Sequence, residues 1–201
     1  RRLEDATIAV QGFGNVGSVT GRLLSSMGAN IVAVSDVSGA LHDPDGLDVM
    51  AIEQYISENG VMAGYEDTDN GYDDADQITN GDLLRLDVDA LIPAAIENVI
   101  TPDVAEDIRA DAVIEAANGP TTFDADMILR ERDIPVVPDI LANAGGVIVS
   151  YLEWVQNSQQ YSWDLEQVND DLETRLARAF DETLDAYTAR DAPDLRTAAY
   201  I

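Results

Sequence analysis

Residues 10–19 read VQGFGNVGSV and space Gly12, Gly14 and Gly17 as G-x-G-x-x-G. What constrains the fold is the setting of that spacing. Residues 6–11 (ATIAVQ) are a short β-branched apolar run ending at the first glycine, and residues 16–27 continue with Val16, Val19, Leu23 and Leu24 along one helical face. Residues 31–35 (IVAVS) return to an apolar, β-branched run. A strand, a tight turn, a helix and a second strand make a βαβ unit, whose strands are parallel because the crossover is a helix. In that frame Gly12 makes the turn, Gly14 lets the backbone approach an anion and Gly17 permits close helix packing. The helix start offers free N–H groups and a positive dipole end.

Phe13, Asn15 and Val16 complete the loop, which fits the pyrophosphate of a dinucleotide. Asp36, flanked by Val37 and Ser38, ends the second strand 19 residues after Gly17, where a carboxylate accepts ribose hydroxyls. A carboxylate there repels a 2′-phosphate and favours NAD. Ser35 and Ser38 are able to hydrogen-bond that phosphate, so NADP stays open.

Further along, helical spacing resumes over residues 47–56, and residues 57–80 read as polar loop. Residues 81–86 are expected as a short helix, 90–93 as strand, 102–109 as helix, 112–117 as strand, 124–132 as helix and 135–138 as strand. This alternation predicts an α/β fold: a Rossmann-like, doubly wound, mainly parallel sheet with helices on both faces. Residues 164–187 change to one long amphipathic helix with Leu165, Val168, Leu172, Leu176, Phe180 and Leu184 on a stripe. The expected organisation is a dinucleotide-binding core over residues 1–150 and a C-terminal helical segment over 151–201. LRTAAYI reads as the start of another helix with no tail or cap after it, which suggests a fragment of a longer polypeptide.

Charge narrows the partners. Thirty-nine acidic residues against 11 basic give a formal net charge of −28; every basic residue is arginine and lysine is absent. Such a field disfavours nucleic acid and anionic membranes, while 46% hydrophobic content argues for a folded core. The balance points to a folded protein with an acidic shell, suited to an organism that accumulates molar salt, where screening acts within a few ångströms. No apolar run is long enough to span a membrane and no secretory signal is recognisable, so a soluble protein is expected, and the glycine motif favours the cytoplasm. Cysteine is absent, which excludes disulfides and thiolate chemistry.

Other candidates have ordinary readings. His42, in LHDPDG, is expected in a solvated turn. The acid-rich residues 66–76 (EDTDNGYDDAD) lack calcium-loop spacing, so no metal site is expected. Trp154, Trp163 and the tyrosines are expected in core or interdomain packing. Residues 92–98 (IPAAIEN), 116–122 (AANGPTT) and 138–146 (PDILANAGG) fall at predicted carboxyl ends of strands, where ligands of open α/β sheets bind. Asn118 and Asn143 each offer a donor and an acceptor to a ribose or carboxamide, or serve as turn and cap residues.

Taken in order, GFGNVG, SDVSG, PAAIENVIT, AANGPTT and PDILANAGGVIVSYLEWVQN resemble the cofactor domain of glutamate dehydrogenases over about residues 8–201. Leucine, valine and phenylalanine dehydrogenases share the architecture and part of the pattern, but GGVIVSYLEWVQN is most similar to the glutamate enzymes. The resemblance implies that Gly12, Gly14, Asn15 and Val16 touch the pyrophosphate, Asp36 the adenosine ribose, Ala94 and Ala95 the adenine side, and Asn118 and Asn143 the nicotinamide end. It implies that Val147 and Ser150 reach the glutamate side-chain carboxylate; by local chemistry alone they are a packing residue and a helix hydroxyl bonded to its own backbone.

The implied chemistry is reversible NAD- or NADP-dependent oxidative deamination of L-glutamate to 2-oxoglutarate and ammonia by a homo-oligomer, a hexamer by resemblance. In those enzymes a lysine and an aspartate of an N-terminal substrate domain move the protons. This chain holds no lysine, so no catalytic residue is expected in it and the isolated domain, possible as a monomer, binds cofactor without turnover. A stand-alone nucleotide-binding module and a leucine, valine or phenylalanine dehydrogenase are the alternatives.

Overall fold

The computed structural model describes residues 2–68, 75–189 and 192–201. They form two compact units, one ending at Pro135 and one running Val136–Ile201. Residue 150, the sequence-based boundary, lies inside a continuous helix of the second unit.

The first unit holds β1 (Thr7–Gln11), α1 (Asn15–Ser26), β2 (Asn30–Asp36), β3 (Gly39–His42), α2 (Val49–Asn59), β4 (Asp76–Ile78), α3 (Asn80–Leu83), β5 (Ala90–Pro93), α4 (Pro102–Asp107), β6 (Val113–Ile114) and α5 (Phe123–Glu131). Its strands lie in the order β4-β3-β2-β1-β5-β6. β2, β1, β5 and β6 run parallel, while β3 and β4 pair antiparallel at one edge. The parallel part carries the apolar runs because both faces are buried. Ile8, Val10, Ile31 and Ile92 join a core with Phe13, Val49, Ile52 and Tyr65, and alternate positions Ala9, Ala33, Ser35 and Leu91 are buried too. The expected α/β class with a mainly parallel sheet is the observed one.

Helix ends follow their chemistry. The Asp48 carboxylate accepts from Met50 N and Ala51 N to start α2, and Gly60 ends it in the left-handed region. Thr79 and Asp82 form a reciprocal capping box on α3. The Arg132 guanidinium donates to Ile108 O at 2.6 Å and to Ala105 O, closing the carbonyl end of α4 from the end of α5.

Several expectations change. Residues 57–80 are not all loop: α2 runs to Asn59, Tyr65–Asp67 is a 3-10 turn, and Asp76–Ile78 is a strand; residues 69–74 lie outside the described residues. His42 is the last residue of β3, cross-paired with Ala33 and Asp76, not part of a turn. The expected helix over 81–86 is Asn80–Leu83, and the expected strand over 112–117 shrinks to Val113–Ile114.

The second unit opens with β7 (Val136–Val137), followed by α6 (Asp139–Ala142), α7 (Gly145–Gln159), α8 (Leu165–Ala189) and α9 (Leu195–Ala199). Leu172 and Leu176 of α8 come so close to Gly145 that a methyl group there would touch both at 3.8 and 3.9 Å. The Arg175 guanidinium stands 5.9 Å over the Tyr151 ring and pairs with Asp171 at 2.8 Å, which raises its pKa. Half of the expected α8 stripe is covered: Val168, Leu172 and Leu176 are half-buried, but Leu165, Phe180 and Leu184 are exposed. Tyr65 is buried in the core, whereas Trp154 is 64% exposed and Tyr151, Tyr161 and Tyr200 are exposed as well, so core packing does not account for these four. Among the described residues no helix is long and apolar enough to cross a membrane.

Candidate functional site

Three loops meet at the carboxyl ends of the parallel strands in the first unit. Gly12 leaves β1 with φ +91, a left-handed value that glycine adopts without strain. It also has no room for a side chain, because a methyl group would lie 2.6 Å from Ala95 Cβ and 2.7 Å from its Cα. Ala94 N donates to Gln11 O at 2.7 Å, drawing the loop after β5 against the glycine turn. Ala116 N and Ala117 N donate to Pro93 O, and Asn98 N to Gly119 O at 2.9 Å, which sets the exposed Asn118 loop beside the β5 loop. The chain thus gathers Gly12, Ala94, Ala95 and Asn118 at one end of the sheet.

The three glycines answer to different neighbours. At Gly17 a methyl group would sit 1.8 Å from Gly12 O, so this glycine is what lets α1 pack down on the turn. At Gly14 a methyl group would meet nothing within 4 Å, and φ is −82, which any residue adopts. The protein's own packing therefore does not ask for glycine at 14, whereas a ligand lying close to that backbone does. Gly14 is also the N-cap of α1, and no side chain caps the helix. The first N–H groups of α1 lack partners within the helix, and the exposed Gly14, Asn15 and Val16 lead its end. Three residues before Gly14, Gln11 Oε1 is buried with no hydrogen-bond partner among the described residues. Open space over a bare glycine backbone at an uncapped helix start fits an anionic group such as a pyrophosphate.

Two residues stand differently from the sequence-based expectation. Phe13 is buried in the core beneath α1, so only its backbone is available to a ligand. Ser35 is fully buried and its Oγ accepts from Gly12 N at 3.2 Å. It holds the glycine turn from below and is not free to meet a 2′-phosphate, correcting the earlier reading.

At the end of β2 the Asp36 carboxylate is half-buried beside the exposed Val37 and Ser38. Its Oδ1 accepts from Ser38 N at 2.7 Å and from Ser38 Oγ, and its Oδ2 accepts from Met62 N at 2.6 Å. The Met62 and Ala63 backbone donors come from a segment read from sequence as loop. Its signal was a glycine-flanked apolar island, GVMAG, in a polar stretch.

The remaining residues belong to the second unit. Asn143 caps the end of α6, its N–H donating to Asp139 O at 2.9 Å. Val147, 76% exposed, and the exposed Ser150 lie on α7. Among the described residues no group of three acidic or histidine side chains is arranged to hold a metal.

Comparison with known proteins places these features in a family. The family model for glutamate/leucine/phenylalanine/valine dehydrogenases matches residues 1–201. Glutamate dehydrogenase A2 of Halobacterium salinarum is 66% identical over 98% of this chain and 46% of its own length. From the same organism, NADP-specific glutamate dehydrogenase A1 is 53% identical over all of this chain and 47% of its own length. NAD-specific glutamate dehydrogenase A is 51% identical over 99% and 44%. The crystal structure of the hetero-hexameric glutamate dehydrogenase of Thermus thermophilus superposes with a TM-score of 0.88 at 31% identity, covering 98% of this chain and 45% of that one. This chain spans about half the length of the curated relatives it matches, and it belongs to the glutamate/leucine/phenylalanine/valine dehydrogenase family.

Proposed function

We propose that this chain is the cofactor-binding part of a glutamate dehydrogenase, and that it binds a nicotinamide dinucleotide for the reversible oxidative deamination of L-glutamate to 2-oxoglutarate and ammonia. The observation that carries the reading is Gly14, a glycine that the fold itself does not require, at the uncapped start of α1. When bound, the nicotinamide ring accepts hydride from the α-carbon of the substrate.

The chain's own residues bind and orient. The N–H groups at the start of α1 hold the pyrophosphate, supported from below by the Ser35 to Gly12 bond. Asp36 receives the adenosine ribose hydroxyls. Ala95, which crowds Gly12, and its neighbour Ala94 form the wall for the adenine, and Asn118 and Asn143 serve the nicotinamide end. Val147 and Ser150 on α7 face the glutamate side chain.

Proton transfers need a general acid and base. The chain has no lysine, so we assign them to an N-terminal substrate domain outside these residues. The setting is the cytoplasm of a salt-accumulating organism, and the assembly is a homo-oligomer built largely through that other domain.

The test is a titration of NADH and NADPH in concentrated potassium chloride, read by nicotinamide fluorescence. Binding of at least one with no turnover by this chain alone is expected, and glutamate-dependent reduction of the cofactor by the full-length protein. If neither nucleotide binds where circular dichroism shows the chain folded, the reading fails. Assay of the full-length protein with leucine, valine and phenylalanine separates glutamate from the substrates of the wider family.

A further inference from the structure

The apolar spacing that predicts α1 from the sequence marks a side of the helix that faces away from the core. Val16, Val19 and Leu23, with Met27 at the C-cap, follow at intervals of three and four residues and are all exposed. Gly17, Ser18 and Gly21 take the buried side instead. There α1 lies too close to its neighbours for larger residues, since a methyl group on Gly21 would meet Phe13 at 3.1 Å and Val49 at 3.9 Å. Arg22, paired with Glu53, marks the flank of α1 that meets α2, and the stripe is turned away from both the sheet and α2. The strand order places β5 and β6 on that side. Ile114 and Ala116, which continue the core face beyond Ile92, are only half-buried there.

Charge separates this face from the rest of the surface. Residues 6–35 hold no acidic residue, although the chain carries 39. The helix α8 exposes Glu166, Glu173 and Glu182 among others, whereas α1 exposes an apolar stripe and no carboxylate. A bound dinucleotide would account for the lack of acids in the first turn of α1. It does not account for the far end, because Met27 lies about 16 Å along the axis from Val16 at a rise of about 1.5 Å per residue.

We propose that the segment directly preceding Arg1 in the full-length polypeptide lies on this stripe as an amphipathic helix alongside α1. The start of the chain stands at the foot of α1: a methyl group on Gly28 would lie 3.3 Å from Glu4 Cγ and 3.6 Å from its Cα, and Leu3 and Ala6 pack on the same core as Leu24. A helix that ends there runs parallel to α1 and needs about 11 residues to cover the stripe from Val16 to Met27. A helix suits the place because it satisfies its own backbone groups against an apolar wall, and because helices close the faces of a parallel sheet. More than half of such a polypeptide lies outside residues 1–201, since this chain spans 46% of the length of glutamate dehydrogenase A2. A second copy fits less well: one stripe of four side chains falls far short of the about 800 Å² per partner that a stable interface buries. A covalently joined segment does not need that area, because a short tether holds it at about millimolar effective concentration.

Met27 and Met50 are 60% and 59% exposed in residues 1–201, so hydrogen peroxide should reach both alike unless something covers one of them. In the full-length protein, with peptide mass spectrometry as the readout, Met27 is expected to form sulfoxide at least about tenfold more slowly than Met50, because oxidation follows access to the sulfur. The buried Met62 supplies the rate of a covered sulfur. Leu23→p-benzoylphenylalanine in the full-length protein then identifies the cover by photo-cross-linking. The expected cross-linked peptide lies within about 20 residues before Arg1, and the linked product keeps the mass of one chain on a denaturing gel. Oxidation of Met27 as fast as that of Met50 would overturn the inference without any substitution. A cross-link to a second copy, which doubles the mass, or to any other part of the same chain would overturn it as well. Neither result bears on the dinucleotide reading, which stands or falls with the NADH and NADPH titration.

Discussion

Gly14 and Gly17 lie three residues apart in one loop, yet the structure predicts opposite outcomes for the same substitution. In Gly14→Ala the new methyl group meets no protein atom within 4 Å and the backbone is already at φ −82. Two small terms oppose each other: alanine is a poorer N-cap than glycine, at about 0.5–1 kcal/mol, and it removes a similar amount of unfolded-state entropy, about 0.4–1 kcal/mol. The net is close to zero, which for a chain of this size moves the melting temperature by no more than about 2 °C. The same methyl group stands in the approach to the N–H groups of α1. Loss of one hydrogen bond to a charged group costs about 1.5–3 kcal/mol, so the NADH dissociation constant should rise between about tenfold and about a hundredfold. In Gly17→Ala the methyl group lands 1.8 Å from Gly12 O and 2.9 Å from Gly12 C. The turn must move, at about 1–3 kcal/mol or more, and both stability and binding should fall. The assay is thermal unfolding by circular dichroism beside NADH titration for each variant. Native NADH affinity in Gly14→Ala would refute the placement of the pyrophosphate, and a melting temperature lowered as far as in Gly17→Ala would refute the open space above Gly14.

Ser35→Ala removes the hydroxyl oxygen that accepts from the buried Gly12 N–H. A cost of about 1–3 kcal/mol and weaker NADH binding are expected, by denaturant unfolding and fluorescence titration. The Thr79 hydroxyl and backbone N–H hold the Asp82 carboxyl below its ordinary value. Because the folded value is depressed, the stabilisation is present at neutral pH and is lost as pH falls through that value; in Thr79→Val the carboxyl should titrate at higher pH in a carbon-detected NMR experiment. With a formal net charge of −28, the melting temperature should climb as potassium chloride rises from about 0.1 M to about 3 M, where screening acts within a few ångströms. A flat response would refute the acidic-shell reading.

The elements legible in the sequence were those whose pattern has one physical cause. β1, α1, β2 and β5 fell within a few residues of their expected bounds because buried parallel strands are continuous apolar runs and α1 follows a glycine turn. β3 and β4 were missed because GALH and DQI are short and carry polar residues, and β4 belongs to an edge that is only partly buried. β6 was overread: residues 112–117 are all small, apolar or acidic, and pairing stops at Ile114 where the chain bends to give two N–H groups to Pro93 O. In the site, the roles of Gly12 and Gly17 in the turn were legible from spacing because their neighbours lie on the same βαβ unit. The bonds of Asp36 to Met62 and of Ser35 to Gly12 were not, since they join residues whose separation is set by tertiary packing and not by any period.

The acidity of the chain and its proposed ligand pull against each other, since a nicotinamide dinucleotide is itself an anion. A protein with this field has two ways to hold a phosphate: basic side chains, or oriented backbone dipoles. The loop QGFGNVGS carries no charged residue of either sign, and the basic residue of α1, Arg22, pairs with Glu53 at 3.4 Å instead. The site therefore follows the second route, presenting N–H groups at the helix start through a glycine that exposes them. Point charges on exposed side chains lose their pull within a few ångströms in concentrated salt, whereas donors at hydrogen-bond distance act inside that range. On the proposed reading, bare Gly14, the uncapped α1 and the absence of lysine form one consistent arrangement, in which surface charge would serve solubility and the backbone would bind the phosphates.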